Sequence, residues 1–327
     1  MILYIEYLVL ALPQEMSMTH RFSKKASLTR LQHFTILGGA FLCMVFLLSA
    51  CEGFMDGGST RDLIIQKLQY AEAPTYLINI DDAAGKGVVN SPAGGKANKK
   101  VTDIFNVSFS FPDDYEFLYW TIIDTKTNQE LANEEYLALS TLNNPETQCT
   151  LLKAPEEGMN LTLVPVLADR PTVSNNIPEY ESVGIAKASP IVVEFDQAMN
   201  PQSIYYIKEE IEELIELYNL SESDFLTVNV NQTSFKYGYK KGDDIVFKNI
   251  QIQNYNNSAN LLQYFNPPQF DAANKILTIT PKSNFPGGTT VFVILDKKFN
   301  YQIQINGKNK SINMSKAFNW HYLVNNS

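Results

Sequence analysis

The chain has 327 residues with 26 Lys+Arg against 35 Asp+Glu, a formal net charge of −9 at neutral pH. That acidic balance argues against a nucleic-acid partner, whose phosphates call for a basic surface, and against electrostatic adhesion to anionic lipid headgroups. Aromatic residues are plentiful, with 17 Tyr and 19 Phe, which favours folded modules over a disordered stalk.

Residues 34–50, "FTILGGAFLCMVFLLSA", form a 17-residue run without charge, preceded by the basic segment "HRFSKKASLTRLQH". A basic region, an apolar region and small residues before a cut are the layout of a secretory signal peptide. A membrane-spanning helix wants about 20 apolar residues and usually carries positive charge after them. Glu52 and Asp56 follow instead. The first fifteen residues, "MILYIEYLVLALPQE", fit no secretion signal, and Met16 or Met18 would begin a more regular leader.

The quartet Leu48-Ser49-Ala50-Cys51 resembles the bacterial lipobox. The resemblance implies that Cys51 receives a diacylglycerol, that cleavage follows Ala50, and that the protein is held at a bacterial membrane by lipid. Several acyl chains on one residue anchor firmly where one chain is marginal. The domain expectation is therefore a signal peptide over 1–50 and a lipidated tether over 51–72. Removal of residues 1–50, with four basic and two acidic side chains, leaves 22 against 33. Residues 52–72 begin glycine-rich and end in a short helical pattern carrying Leu63, Lys67 and Tyr70.

From Pro74 a period of two takes over. In "FNVSFSF", Phe105, Val107, Phe109 and Phe111 face one way and Asn106, Ser108 and Ser110 the other, as in a half-buried strand. "PTYLINI" and "NLTLVPVLA" read similarly, giving about five strands over residues 73–169. Pro112, Asp113, Asp114, Tyr115, Phe117 and Trp120 resemble the strand-end motif of the bacterial repeat related to internalin B-repeats. Asp114 stands where that family commonly has glycine, and the segment from Asp124 to Cys149 is longer than the repeat's. The resemblance implies a small β domain with Trp120 in its core.

A proline-bearing connector, "DRPTVSNNIPEYESVG", leads into a second β pattern over 170–327. Val193 and Phe195, then Met199-Asn200-Pro201 and Ser203, resemble the second strand of the SbsA-type bacterial immunoglobulin-like domain. Asn274, Leu277, Ile279, Pro281, Gly288, Thr289 and Val293 match that family's later strands. Between the two matches, Ile207, Ile211, Leu214, Ile215 and Tyr218 recur at helical spacing opposite a glutamate-rich face. A helix of about four turns, packed on a sheet edge, is expected there. Asn306-Gly307 is the preferred pair for a type I′ hairpin turn.

Little in this chain suggests catalysis. With Cys51 acylated, Cys149 stands alone and no thiolate metal cluster can form. His321 is the only histidine after residue 50 and lies in an alternating strand pattern, "FNWHYLVN". The acidic doublets Asp81-Asp82, Asp113-Asp114 and Asp243-Asp244 sit in turn contexts, where Asp is favoured for its own backbone hydrogen bonds. No phosphate-binding loop is present, since neither "AGKG" nor "GGKANKK" has Ser or Thr after its lysine. The expectation is an all-β protein of two modules in tandem, a small repeat domain and an immunoglobulin-like β-sandwich carrying one inserted helix, after a signal peptide. It has no catalytic, cofactor or metal residues. Its expected role is display, spacing or adhesion to a protein or glycan at the cell envelope, with Cys51 as its lipid attachment. The alternatives are a periplasmic solute-binding lipoprotein or one associated with an envelope hydrolase.

Overall fold

The computed structural model describes residues 58–326. The signal peptide, the lipobox residues Leu48, Ser49 and Ala50, and Cys51 lie outside the described residues. Helix α1 (Gly58–Glu72) falls in one unit, and the residues from Pro74 onward form a second compact unit. Among the described residues no helix is long and apolar enough to cross a membrane.

The second unit is all-β in architecture and contains two separate sandwich cores. The first is built from β1 (Tyr76–Ile80), β2 (Val88–Ser91), β3 (Lys96–Lys99), β4 (Ile104–Ser110), β5 (Tyr115–Asp124), β6 (Gln129–Leu131), β7 (Leu137–Leu139), β8 (Glu146–Leu151) and β9 (Leu161–Asp169). One sheet runs β3-β1-β9-β5-β6 and the other β2-β4-β8-β7. These are nine strands where the sequence pattern gave about five, because β2, β3, β6 and β7 are only three or four residues long and too short to show a period. β1 lies parallel to β9, and β9 antiparallel to β5.

The alternation in "FNVSFSF" is borne out. Phe105, Val107 and Phe109 are buried, and they meet Trp120, Ile122 and Leu163 from the facing sheet. A finer point concerns Phe117 and Trp120. Residues three apart on a regular strand point to opposite faces, yet both are buried and their ring centroids are 5.5 Å apart. The register shift between Phe117 and Tyr119 resolves this, since the extra residue Leu118 turns the strand over. The two-residue gap between Phe117 and Trp120 thus houses a β-bulge.

The second sandwich comprises β10 (Val173–Ile177), β11 (Ile191–Phe195), helix α2 (Lys208–Tyr218), β12 (Phe225–Val230), β13 (Thr233–Lys241), β14 (Asp244–Phe247), β15 (Ile250–Asn254), β16 (Gln269–Phe270), β17 (Ile276–Ile279), β18 (Thr290–Leu295), β19 (Asn300–Ile305), β20 (Lys308–Asn313) and β21 (Phe318–Leu323). A four-stranded sheet, β10-β11-β17-β16, faces a six-stranded one, β12-β13-β14-β15-β18-β21. Their apolar faces, including Ile191, Val193, Phe195, Leu277, Val293 and Trp320, share one core. Part of the connector is itself a strand, β10, paired with β11.

Met199-Asn200-Pro201-x-Ser203 has a clear structural task. Met199 and Ser203 are buried, Asn200 N donates to Asn300 O at 2.7 Å, and Ser203 Oγ accepts from Asn300 N at 3.1 Å. The motif therefore pins the start of the β19–β20 hairpin, whose tip residues Asn306 and Gly307 have φ of 51° and 74° as a type I′ turn requires. Gly288 has φ of 68°, and a Cβ there would collide with the Asn326 side chain.

Helix α2 has 11 residues, about three turns rather than four. It does not sit on a sheet edge. Ile211, Leu214 and Ile215 pack with Phe225, Tyr239 and Val246, which face outward from β12–β14, away from the sandwich core. Tyr218 stacks on Tyr239 at 6.0 Å, and the almost buried Lys248 forms an ion pair with Glu210 and donates to Tyr205 O at 3.0 Å.

Candidate functional site: a hydroxyl and amide groove

The acidic doublets are turn residues. Asp81 Oδ1 accepts from Ala83 N at 2.7 Å and Asp82 Oδ1 from Gly85 N at 3.0 Å. Asp113 and Asp114 lie in the turn before β5, and Asp243 and Asp244 at the β13–β14 turn. Among the described residues no group of three His, Cys, Asp or Glu could hold a metal ion. Cys149 is fully buried, and desolvation pushes its thiol up to about 12, so almost no thiolate exists at neutral pH. Trp120 belongs to the core, as the repeat resemblance implied, and cannot serve as an exposed stacking platform.

His321 lies on the outer face of β21. Its ring stacks on Tyr255 at 4.4 Å and meets Tyr180 edge-on at 4.9 Å, while both tyrosines are more than half exposed. Phe292 on β18 completes this aromatic ledge, 5.7 Å from Tyr255.

A concave site of about 520 Å³ lies over the outer face of β2, β4 and β8. Strand register builds its floor. Ser91 lies opposite Ser108 and Ser108 opposite Glu146, giving one row across three strands. Asn106 lies opposite Gln148, giving a second row two residues along. Strand spacings place the rows about 7 Å apart and make the three-strand row about 10 Å long. The floor is polar because its alternate residues Phe105, Val107, Phe109 and Cys149 are drawn into the core.

The wall is the segment 140–145 between β7 and β8, braced by Thr147 near the start of β8. Thr147, which is buried, bonds Ser140 Oγ at 3.1 Å through its Oγ1 and accepts there from Thr141 N at 3.1 Å. Asn144 Oδ1 accepts from Glu146 N at 2.9 Å. The Trp120 indole donates to Asn144 O at 2.9 Å, and Trp120 N donates to Leu142 O at 2.9 Å. Trp120, sealed in the core, thus holds the groove wall from behind. Eight of the ten lining residues are neutral Ser, Thr, Asn or Gln, and Glu146 is the one charged side chain.

The polar face of β4, Asn106 and Ser108, was legible in the alternation of "FNVSFSF". Glu146 and Gln148 were missed, although "ETQCTL" alternates as clearly, with Thr147, Cys149 and Leu151 inward. Its six residues sit inside a stretch that reads as an insertion, and nothing local reveals that β8 pairs with β4.

No known protein family matches the chain's sequence, and no curated protein matches it. Among solved structures it is similar to the titin domains z1z2 in complex with telethonin, at 8% identity over 78% of this chain and 94% of that one, with a TM-score of 0.22. It is also similar to the N-terminal Ig1-2 module of the Drosophila receptor protein tyrosine phosphatase DLAR, at 6% identity over 68% and 91%, with a TM-score of 0.15. Superposition at that level is loose, and the all-β assignment rests on the strand pairing described above.

Proposed function

We propose that this protein is a non-catalytic binding or display protein of the bacterial cell envelope, tethered by lipid on Cys51. The observation that carries the binding half of this reading is the groove. It is a concave site of about 520 Å³ whose chemistry is hydrogen bonding, with eight neutral polar residues and one carboxylate in its lining. The tether half rests on the apolar run ending in Leu48-Ser49-Ala50-Cys51. Glycine-rich residues after Cys51 would let the folded body stand clear of the bilayer.

Metabolic labelling with a radiolabelled fatty acid, on wild type and Cys51→Ala, tests the tether. Labelled wild type and unlabelled variant are the expected result, and lipid on the variant would overturn it. Protease treatment of intact cells tests display. Digestion of the wild type is expected, whereas resistance until the envelope is broken would place the protein on an inner face and remove adhesion to external ligands.

A further inference from the structure

We infer that the groove over β2, β4 and β8 recognises an uncharged oligosaccharide, a specificity that rests on the binding reading above. Serine and threonine hydroxyls and the Asn and Gln amides each both donate and accept, as sugar hydroxyls do. No Lys or Arg lines the groove, so phosphate, sulfate and acidic sugars find no counter-charge, and Glu146 repels them. Val107 is its one apolar lining residue and is 1% exposed, so the carbon surface of the groove comes from the stems of its polar side chains and suits a ligand that mixes C–H and O–H groups, as a sugar does.

Unused hydrogen-bonding capacity points the same way. Ser108 Oγ and the Glu146 carboxylate have no side-chain partner among the described residues. Asn106 uses its Oδ1 and Gln148 its Nε2 in a long 3.4 Å contact with each other, leaving Asn106 Nδ2 and Gln148 Oε1 without a protein partner among the described residues. Asn144 uses only Oδ1, toward Glu146 N. The floor presents donors and acceptors in two rows at a fixed spacing set by strand register. Its volume lies within the usual range of about 300–1,000 Å³ for small-molecule sites. Pre-ordering of the wall through Thr147 and Trp120 lowers the entropic cost of binding.

The test uses the full chain, purified in detergent, on immobilised neutral oligosaccharides (glucan, mannan, galactan and N-acetylglucosamine chains) beside sialylated and sulfated ones. Neutral chains are expected to be retained in preference to acidic ones. Asn106→Ala/Gln148→Ala removes two exposed side chains, and should weaken binding about tenfold or more with an unchanged circular dichroism spectrum and melting temperature. Tyr180→Ala/Tyr255→Ala, which dismantles the aromatic ledge, should bind as wild type does. Three results would each overturn the proposal: retention of no neutral chain, preference for acidic chains, or loss of binding in the tyrosine variant but not in the groove variant. Because binding is measured away from the cell, such a failure leaves the lipid-labelling result standing, and a failed lipid test leaves this one standing.

Discussion

Trp120 and Trp320 are both sealed from solvent, at 2% and 1% exposure, yet their indole N–H groups differ. Trp120 donates to Asn144 O, while Trp320 Nε1 has no partner among the described residues. Phenylalanine at either site leaves a similar void, but only Trp120→Phe also removes a hydrogen bond. Trp120→Phe is therefore expected to cost about 1 kcal/mol more than Trp320→Phe in urea unfolding. Asp124 supplies the acid sensitivity. Donors from Asn160 N at 2.9 Å, Thr127 Oγ1 at 2.8 Å and Lys126 N at 3.1 Å hold its carboxyl below the ordinary 3.8. A carboxyl bound more weakly to protons when folded stabilises the fold above its unfolded pKa, and that stability is lost as pH falls through the folded value. The stability gap between wild type and Asp124→Asn should be constant above about pH 5 and close below about pH 4. A gap that stays constant through the acid range would show that the carboxylate's charge contributes nothing.

Helix α2 illustrates how a helix between strands is held without entering the sandwich core. Glu210 has two tasks, accepting from Ile207 N at 3.0 Å at the helix start and pairing with Lys248 on the β14–β15 turn. Burial draws the Lys248 ammonium's pKa down, and Glu210 pulls it partly back. Removing the carboxylate leaves a nearly buried cation with only the Tyr205 carbonyl and the Tyr206 ring, 5.3 Å away, among the described residues, whereas replacing the cation by an apolar chain removes its desolvation cost. Glu210→Ala is expected to destabilise by about 2 kcal/mol, after discounting for its partial exposure, and Lys248→Met by less than about 1 kcal/mol, in chemical denaturation. Equal losses would sink this account. The helix itself was readable from Ile211, Leu214 and Ile215, because 3.6-residue spacing is local information. Its seat was not, since the outward turn of Tyr239 depends on pairing with β12 and on the bulge at Tyr237. Groove residues divide in the same way: period two shows that Asn106 and Gln148 each face outward, while their adjacency is a matter of register between strands some forty residues apart.

Across the body, the two sandwich cores are joined by a polar junction as well as by the chain. Glu116 on β5 pairs with both Arg170 and Lys310, the latter at 3.3 Å. Arg170 also donates to Tyr115 O and Asn313 O, Lys310 to Phe117 O at 2.8 Å, and Tyr301 OH to Asp169 O at 2.9 Å. These bonds couple β5 of the first sandwich to the β19–β20 hairpin of the second. Wild type should melt in one calorimetric transition, and Arg170→Ala/Lys310→Ala should separate it into two, one for each core. A single unshifted transition in the variant would show that the cores communicate by another route. The parallel pairing of β1 with β9 has a mechanical consequence. The chain enters the first sandwich at the start of β1 and leaves it for the second at the end of β9, at opposite ends of two strands that run the same way. Tension between those points drags the strands lengthwise past each other, so their bonds resist as a group instead of parting one after another. The first sandwich is strung to be sheared, the stronger direction for a sheet under load.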